Sequence, residues 1–382
     1  GYYVKTIFHV KNDLIRIETR NNAALTRFEF KRIHDKIARA HQYKNINDAF
    51  SQVLDETEGA GLGIVIMILM LEKINVSDEN FIVLSENGET IVRILLPLNK
   101  TTQDEIQTFS KELVTLVDSL PQLPDNIVSI SKLLNDPKSK LSDIAKQISN
   151  DVALTADLLR IANSAAFSRV NPCTRIHEAI TRIGTRGLQN MLLSIGAISS
   201  LGSSTKQQKA LWKHSYQVAF YSFNIARMCC TSSQTNIQDS YVCGLLHDMG
   251  RVVFESAHPN LLDSFKKKCT KKALTPELFE KLAAGVNHAE IGAEIAKKWN
   301  FPDSIVNSIR YHHSPEKAPE EFKTLTSIIY LANMISHYQA GSVDFYQIDP
   351  KILKLITVSN EVELEALSAK LSLAFEQDDT VM

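Results

Sequence analysis

Leu245-Leu246-His247-Asp248-Met249-Gly250 sets a histidine and an aspartate side by side at the end of an apolar run and closes on a glycine. An imidazole nitrogen and a neighbouring carboxylate oxygen can approach one metal ion together. The pair can also work without metal, the carboxylate holding the imidazole in one tautomer. Further histidines at helix-compatible positions, His214, His288, His312 and His313, point to a shared polar cluster rather than an isolated dipeptide.

Outward from this motif the periodicity is helical. Asp239 to Leu246 delivers His247 and Asp248, and Gly250 permits the turn before Val252, Val253 and Phe254 resume packing. Downstream, His288 to Trp299, Asp303 to His312 and Thr324 to His337 read as helices, the last with Leu325, Ile328, Ile329, Leu331, Ala332 and Ile335 on one side. Upstream lie Trp212 to Met228, Met191 to Leu201, Ile176 to Leu188, Val152 to Ala162 and Leu141 to Ser149, preceded by a helix for which Asn126 is a candidate cap. Nothing from Asp125 onward alternates as a strand does, so an all-α body is expected over 121–340. Peripheral helices (Ile352 to Ile356, Glu361 to Phe375) and a frayed tail with Asp378 and Asp379 follow in 341–382.

The first hundred residues differ. Residues 4–10 and 13–19 read as strands, Phe28 to Ala40 and Ile46 to Asp55 as helices. Asn80 to Leu84 and Thr90 to Leu95 form a hairpin turning at Asn87-Gly88. The spacing thus predicts an α+β module over 1–100, joined by an amphipathic helix within 101–120 to the helical body. Between helix and hairpin, Glu58-Gly59-Ala60-Gly61-Leu62-Gly63 is either a tight packing loop or, through Gly59, Gly61 and Gly63, a cradle of N–H groups for phosphate. No phosphate-loop lysine and serine follow. With Ile91 to Pro97, this box resembles the C-terminal half of a histidine-kinase-type ATPase domain over residues 10–98. The position of that family's Asp-x-Gly-x-Gly box falls at Arg20 to Ala24, which lack the Asp and both glycines. The resemblance therefore implies a degenerate module with a regulatory or dimerising role.

Composition narrows the class. The 382 residues are 44% hydrophobic, enough for two or three domains with real cores. A formal charge of -1 gives no basic excess for bulk nucleic-acid binding. The basic cluster Lys266-Lys267-Lys268 with Lys271-Lys272 reads as a solvated face before it reads as an acidic-partner site. Five cysteines (173, 229, 230, 243, 269) form no CxxC pair and suit a reducing compartment. The longest apolar run, Leu62 to Leu71, is too short to span a bilayer, and no signal-peptide pattern opens the chain, so a cytoplasmic protein is expected.

Ligands in helical bundles come from several facing helices, so the wide spacing of the histidines is no objection to a centre. One or two Fe or Mn ions would suit His214, His247, Asp248, His288, His312 and His313, and would acidify a water for attack on phosphorus. A carboxylate on the long helix would balance charge, but the best-placed residue is the neutral Asn333. His9, His34, His41, His177, His258 and His337 read as ordinary surface or satisfied histidines.

Leu123-Pro124, Leu158 to Ala165, Ile176 to Gly184, Leu211 to Ser215, Gly244 to Gly250, and His288 to Trp299 followed by Pro302 and His312-His313 together resemble the HDOD domain, the HD-related output domain of bacterial signal-transduction proteins, over about residues 115–340. The resemblance implies an all-α regulatory domain, usually treated as non-catalytic, that accompanies receiver, cyclic-dinucleotide or kinase-type modules. The related HD-GYP phosphodiesterases hydrolyse cyclic di-GMP at a two- or three-metal centre. By motif position their ligands match His214, His247, Asp248, His288, His312 and His313, while their closing Asp corresponds to Asn333 and the Gly-Tyr-Pro signature is absent. These departures bear on catalysis more than on metal binding.

The leading expectation is therefore a non-catalytic signalling or regulatory protein whose HDOD domain engages a signalling partner. The alternatives are a metal-dependent phosphohydrolase acting on a nucleotide or cyclic dinucleotide, and residual ATP-type nucleotide binding at the Gly59 to Gly63 loop.

Overall fold

The computed structural model describes residues 3–11, 14–40, 62–73, 76–97, 100–164, 166–167, 172–230, 233–257, 280 and 286–377. The expected helix at 46–55, Gly59 and Gly61 of the glycine box, His41, His258, the lysine cluster at 266–272 and the tail aspartates lie outside them. The chain forms two compact units, Gly1–Phe109 with Lys281–Gly285, and Ser110–Glu280 with Val286–Met382.

In the first unit, β1 (Val4–Lys11), β2 (Leu14–Asn21), β3 (Phe81–Glu86) and β4 (Glu89–Pro97) form an antiparallel sheet in the order β1-β2-β4-β3. Asn87 and Gly88, both at positive φ, make the β3–β4 turn. Helices α1 (Arg27–Ala40) and α2 (Leu62–Lys73) supply Ala40, Val65, Ile68 and Leu71 to a core shared with Phe81 and Val83 of β3. Gly63, the remaining glycine of the box, lies in the first turn of α2. Among the described residues of this unit one charge is buried: Glu18 stands opposite Arg93 in the β2–β4 register and accepts hydrogen bonds from Arg93 Nε (2.8 Å) and Arg20 Nε (2.7 Å).

The second unit is helical. Its elements are α3 (Lys100–Ser119, from Ser110 on), α4 (Asp125–Asn135), α5 (Leu141–Ser149), α6 (Val152–Ala162), α7 (Ile176–Leu201), α8 (Lys206–Cys229), α9 (Gln234–Leu246), α10 (Gly250–Ala257), α11 (His288–Lys298), α12 (Asp303–Tyr311), α13 (Glu320–Gln339), α14 (Pro350–Leu353) and α15 (Glu361–Glu376). The two helical segments expected over 176–201 are both present along α7, but they meet at Gly184, where φ of 81° and ψ of 164° leave the helical range, and not at 188–191. Asn126 does not cap α4. Pro124 holds that position, and the Asn126 amide donates to Asp151 (2.6 Å), itself the cap of α6.

Two devices fix the helices that matter for the site. Asp239 of α9, fully buried, accepts a two-pronged contact from Arg186 (2.9 and 2.6 Å) and single bonds from Asn190 (2.8 Å) and Ser304 (2.9 Å), tying α7, α9 and α12 together. Glycine supplies the second. A Cβ at Gly250 would stand 2.0 Å from the His288 carbonyl oxygen, so only glycine lets the start of α10 touch the start of α11. No helix among the described residues is long and apolar enough to cross a membrane.

Candidate metal centre

His214 comes from α8, His247 and Asp248 from the turn after α9, His288 from the first turn of α11, and His312 and His313 from the turn after α12. Local sequence explains the placement of His288. Asn287 and Glu290 form a reciprocal capping box, so α11 starts on the histidine, which does not itself cap the helix. All six side chains meet in the interior of the second unit, in two overlapping groups that share Asp248.

The Asp248 carboxylate, 2% exposed, divides the cluster. Its Oδ1 faces His288 Nε2 (3.1 Å) and His312 Nε2 (3.6 Å), and His313 Nε2 lies 2.9 Å from His288 Nε2. Its Oδ2 faces His247 Nε2 (3.6 Å), His214 Nε2 (4.0 Å) and the Arg251 guanidinium (3.0 Å). Asn333 sits on this second side, its side-chain oxygen 3.1 Å from His214 Nε2.

The tautomers decide what the site can hold. His247 Nδ1 donates to the Gly244 carbonyl (2.8 Å) and His312 Nδ1 to the Ile309 carbonyl (2.7 Å). In the neutral ring this bond leaves Nε2 as the lone-pair nitrogen, and neither Nε2 has a hydrogen-bond partner although both are buried. Two lone pairs facing a carboxylate repel unless a cation stands among them. The donor set therefore fits a divalent ion with imidazole and carboxylate ligands.

Electrostatics reinforce the arrangement. Burial pushes the Asp248 carboxyl up, but the Arg251 guanidinium and the charged His288 beside it outweigh burial and hold it well below the usual carboxylate range. Burial pushes His247 and His313 down, keeping both neutral. Burial also opposes charge on His288, yet Glu280 and Asp248 on either side overcome it and push the imidazole up to about 9. Glu280, fully buried, accepts a hydrogen bond from His288 Nδ1 (2.6 Å) and so aims Nε2 at Asp248.

Sequence reasoning missed three of these groups. Arg251 lies three residues after Asp248, a spacing that brings it back to the carboxylate. Glu280 carried no signal at all. His337, read as an ordinary histidine, packs its ring 5.2 Å from that of His214, and burial pushes it down to about 4. It sits four residues after Asn333 on one face of α13, which the helical period could have revealed.

A family model for the HDOD domain matches residues 120–315. A Treponema pallidum (strain Nichols) protein, described only as uncharacterized, is 38% identical over 380 residues, covering 100% of this chain and 74% of its own. An HDOD domain protein of unknown function from Geobacter sulfurreducens superposes with a TM-score of 0.55 at 24% identity, over 72% of this chain and 98% of that one. A Shewanella amazonensis protein named for an inferred metal-dependent phosphohydrolase activity gives 0.52 at 20% identity, over 71% and 99%. At such identities the two structures speak for the fold alone. None of these matches supports the kinase-type ATPase resemblance of residues 10–98, and the family match starts beyond it. The ordered motifs, the helical fold around them and a match over half the sequence agree: the chain belongs to the HDOD family.

Proposed function

We propose that this protein is a regulatory module whose HDOD domain holds one divalent ion at the Oδ1 side of Asp248, with His288, His312 and His313, and engages a signalling partner without hydrolysing a phosphoester. The observation that carries the reading is Arg251. Its guanidinium occupies the Oδ2 side of Asp248, where His214 and His247 would otherwise complete a second position. A cation already there, and Asn333 in place of a carboxylate, leave Asp248 and Glu280 as the acids that offset positive charge among the described residues. Two dications beside Arg251 would place five positive charges against two negative ones in a buried site, and a single ion places three. Desolvated charge imbalance of the larger kind costs far more than a ligand shell returns. When bound, the ion supplies a Lewis-acidic centre. The chain's own part is to fix the His247 and His312 tautomers, to orient His288 through Glu280, and to shield the centre from water.

The test pairs metal analysis of protein purified with Fe and Mn in the medium with turnover assays on cyclic di-GMP and a bis-phosphoester. The expected result is about one ion per chain and no hydrolysis above the metal-free control. Two ions per chain, with turnover that disappears in His247→Ala, would establish the metal-dependent phosphohydrolase instead.

A further inference from the structure

A second cleft in the helical unit, about 820 Å³ in volume, shares no lining residue with the His/Asp centre. That size suits a small molecule. Ile127, Leu154 and Ile161 line the cleft with apolar side chains, and Trp212 and Tyr216, one turn apart on α8, add two aromatic ones. Lys209 and Lys213, also one turn apart on α8, are both exposed and border the same space.

Charge on the lining is not balanced internally. Asp157 is engaged by Arg160 at 3.0 Å. Asp151 accepts from the Leu154 N–H (3.0 Å) and from Asn126 (2.6 Å). Neither lysine has an ion pair among the described residues, and with Arg160 paired to Asp157 and Asp151 bonded only to neutral groups the lining keeps one net positive charge, with two ammonium groups beside an aromatic and apolar cavity. Aromatic faces take planar rings, and paired ammonium groups take phosphate or carboxylate oxygens.

We propose that this cleft binds a nucleoside phosphate, the base against Trp212 and Tyr216 and the phosphate beside Lys209 and Lys213. The site is independent of the metal reading, since it stands on residues that take no part in the centre.

The test is calorimetric titration of the full chain, treated with chelator, with AMP, GMP, guanosine and inorganic phosphate. At least one nucleotide saturates the protein at one site per chain. Guanosine and inorganic phosphate each bind about tenfold more weakly or worse, because each lacks half of the recognition. In the double variant Lys209→Glu, Lys213→Glu, nucleotide affinity falls by about tenfold or more while the far-UV circular dichroism stays unchanged, as expected for two exposed side chains. Three results overturn the proposal: no saturable nucleotide binding up to about 1 mM, inorganic phosphate binding as tightly as the nucleotide, or nucleotide affinity unchanged in the double variant.

Discussion

A histidine whose Nδ1 is tied to a carbonyl has only Nε2 left to offer, and the chain uses this twice, at His247 and His312, each bonded to the carbonyl three residues earlier. The adjacent His-Asp pair was legible in the sequence because both side chains sit on one turn. His214, His288, His312 and His313 were legible through helical spacing and motif order. Glu280 and Arg251 were not, because each acquires its role from a tertiary neighbour that no local pattern encodes. The same holds for Glu18 in the first unit. Burial pushes its carboxyl up, but Arg93 and Arg20 pull it further down, below its ordinary value of 4.5. A carboxyl depressed on folding contributes stability above its unfolded value and loses it as pH falls through the folded one. The first unit should therefore melt at a lower temperature as pH drops below about 4.5, and Glu18→Gln should melt lower at pH 7 with a flatter acid limb. Thermal melts from pH 7 to pH 3 check this, and parallel acid limbs in the two proteins would refute it.

A few polar and backbone contacts add fixed points to the apolar packing of the helices. The Asp239 carboxylate carries three elements on its four hydrogen bonds. Arg186→Ala removes the only full charge facing it among these partners, and should destabilise the helical unit by about 3 kcal/mol in urea unfolding, the range for a buried ion left without its counterion. Since α9 delivers His247 and Asp248, the same variant should also weaken metal binding. A destabilisation under about 0.5 kcal/mol would mean that Asn190 and Ser304 suffice. Element type was readable from periodicity, and limits were less so. The helix expected from Asp239 starts five residues earlier, at Gln234, because Ser233 caps it through the Asn236 N–H. The break expected between 188 and 191 falls earlier, at Gly184, because only there does a glycine take the positive φ that interrupts the helical backbone.

On the scale of the whole molecule, the candidate ligands arise from four separate segments and meet only in the folded unit, so an ion that binds there binds the native state alone. At about a hundredfold excess over its dissociation constant it should stabilise the chain by about 2.7 kcal/mol. Scanning calorimetry with and without chelator measures this, and His312→Gln should abolish the difference while leaving the metal-free midpoint close to that of the parent.

The helix α8 has a further consequence. Lys213 and His214 are consecutive, yet the first borders the 820 Å³ cleft and the second reaches Asn333 in the buried centre. A single rigid rod thus carries one side chain for each place. Thermodynamic linkage then makes any influence mutual: whatever factor an occupant of the cleft applies to affinity at the centre, occupancy of the centre applies to the cleft, so that either event can serve as the reporter of the other.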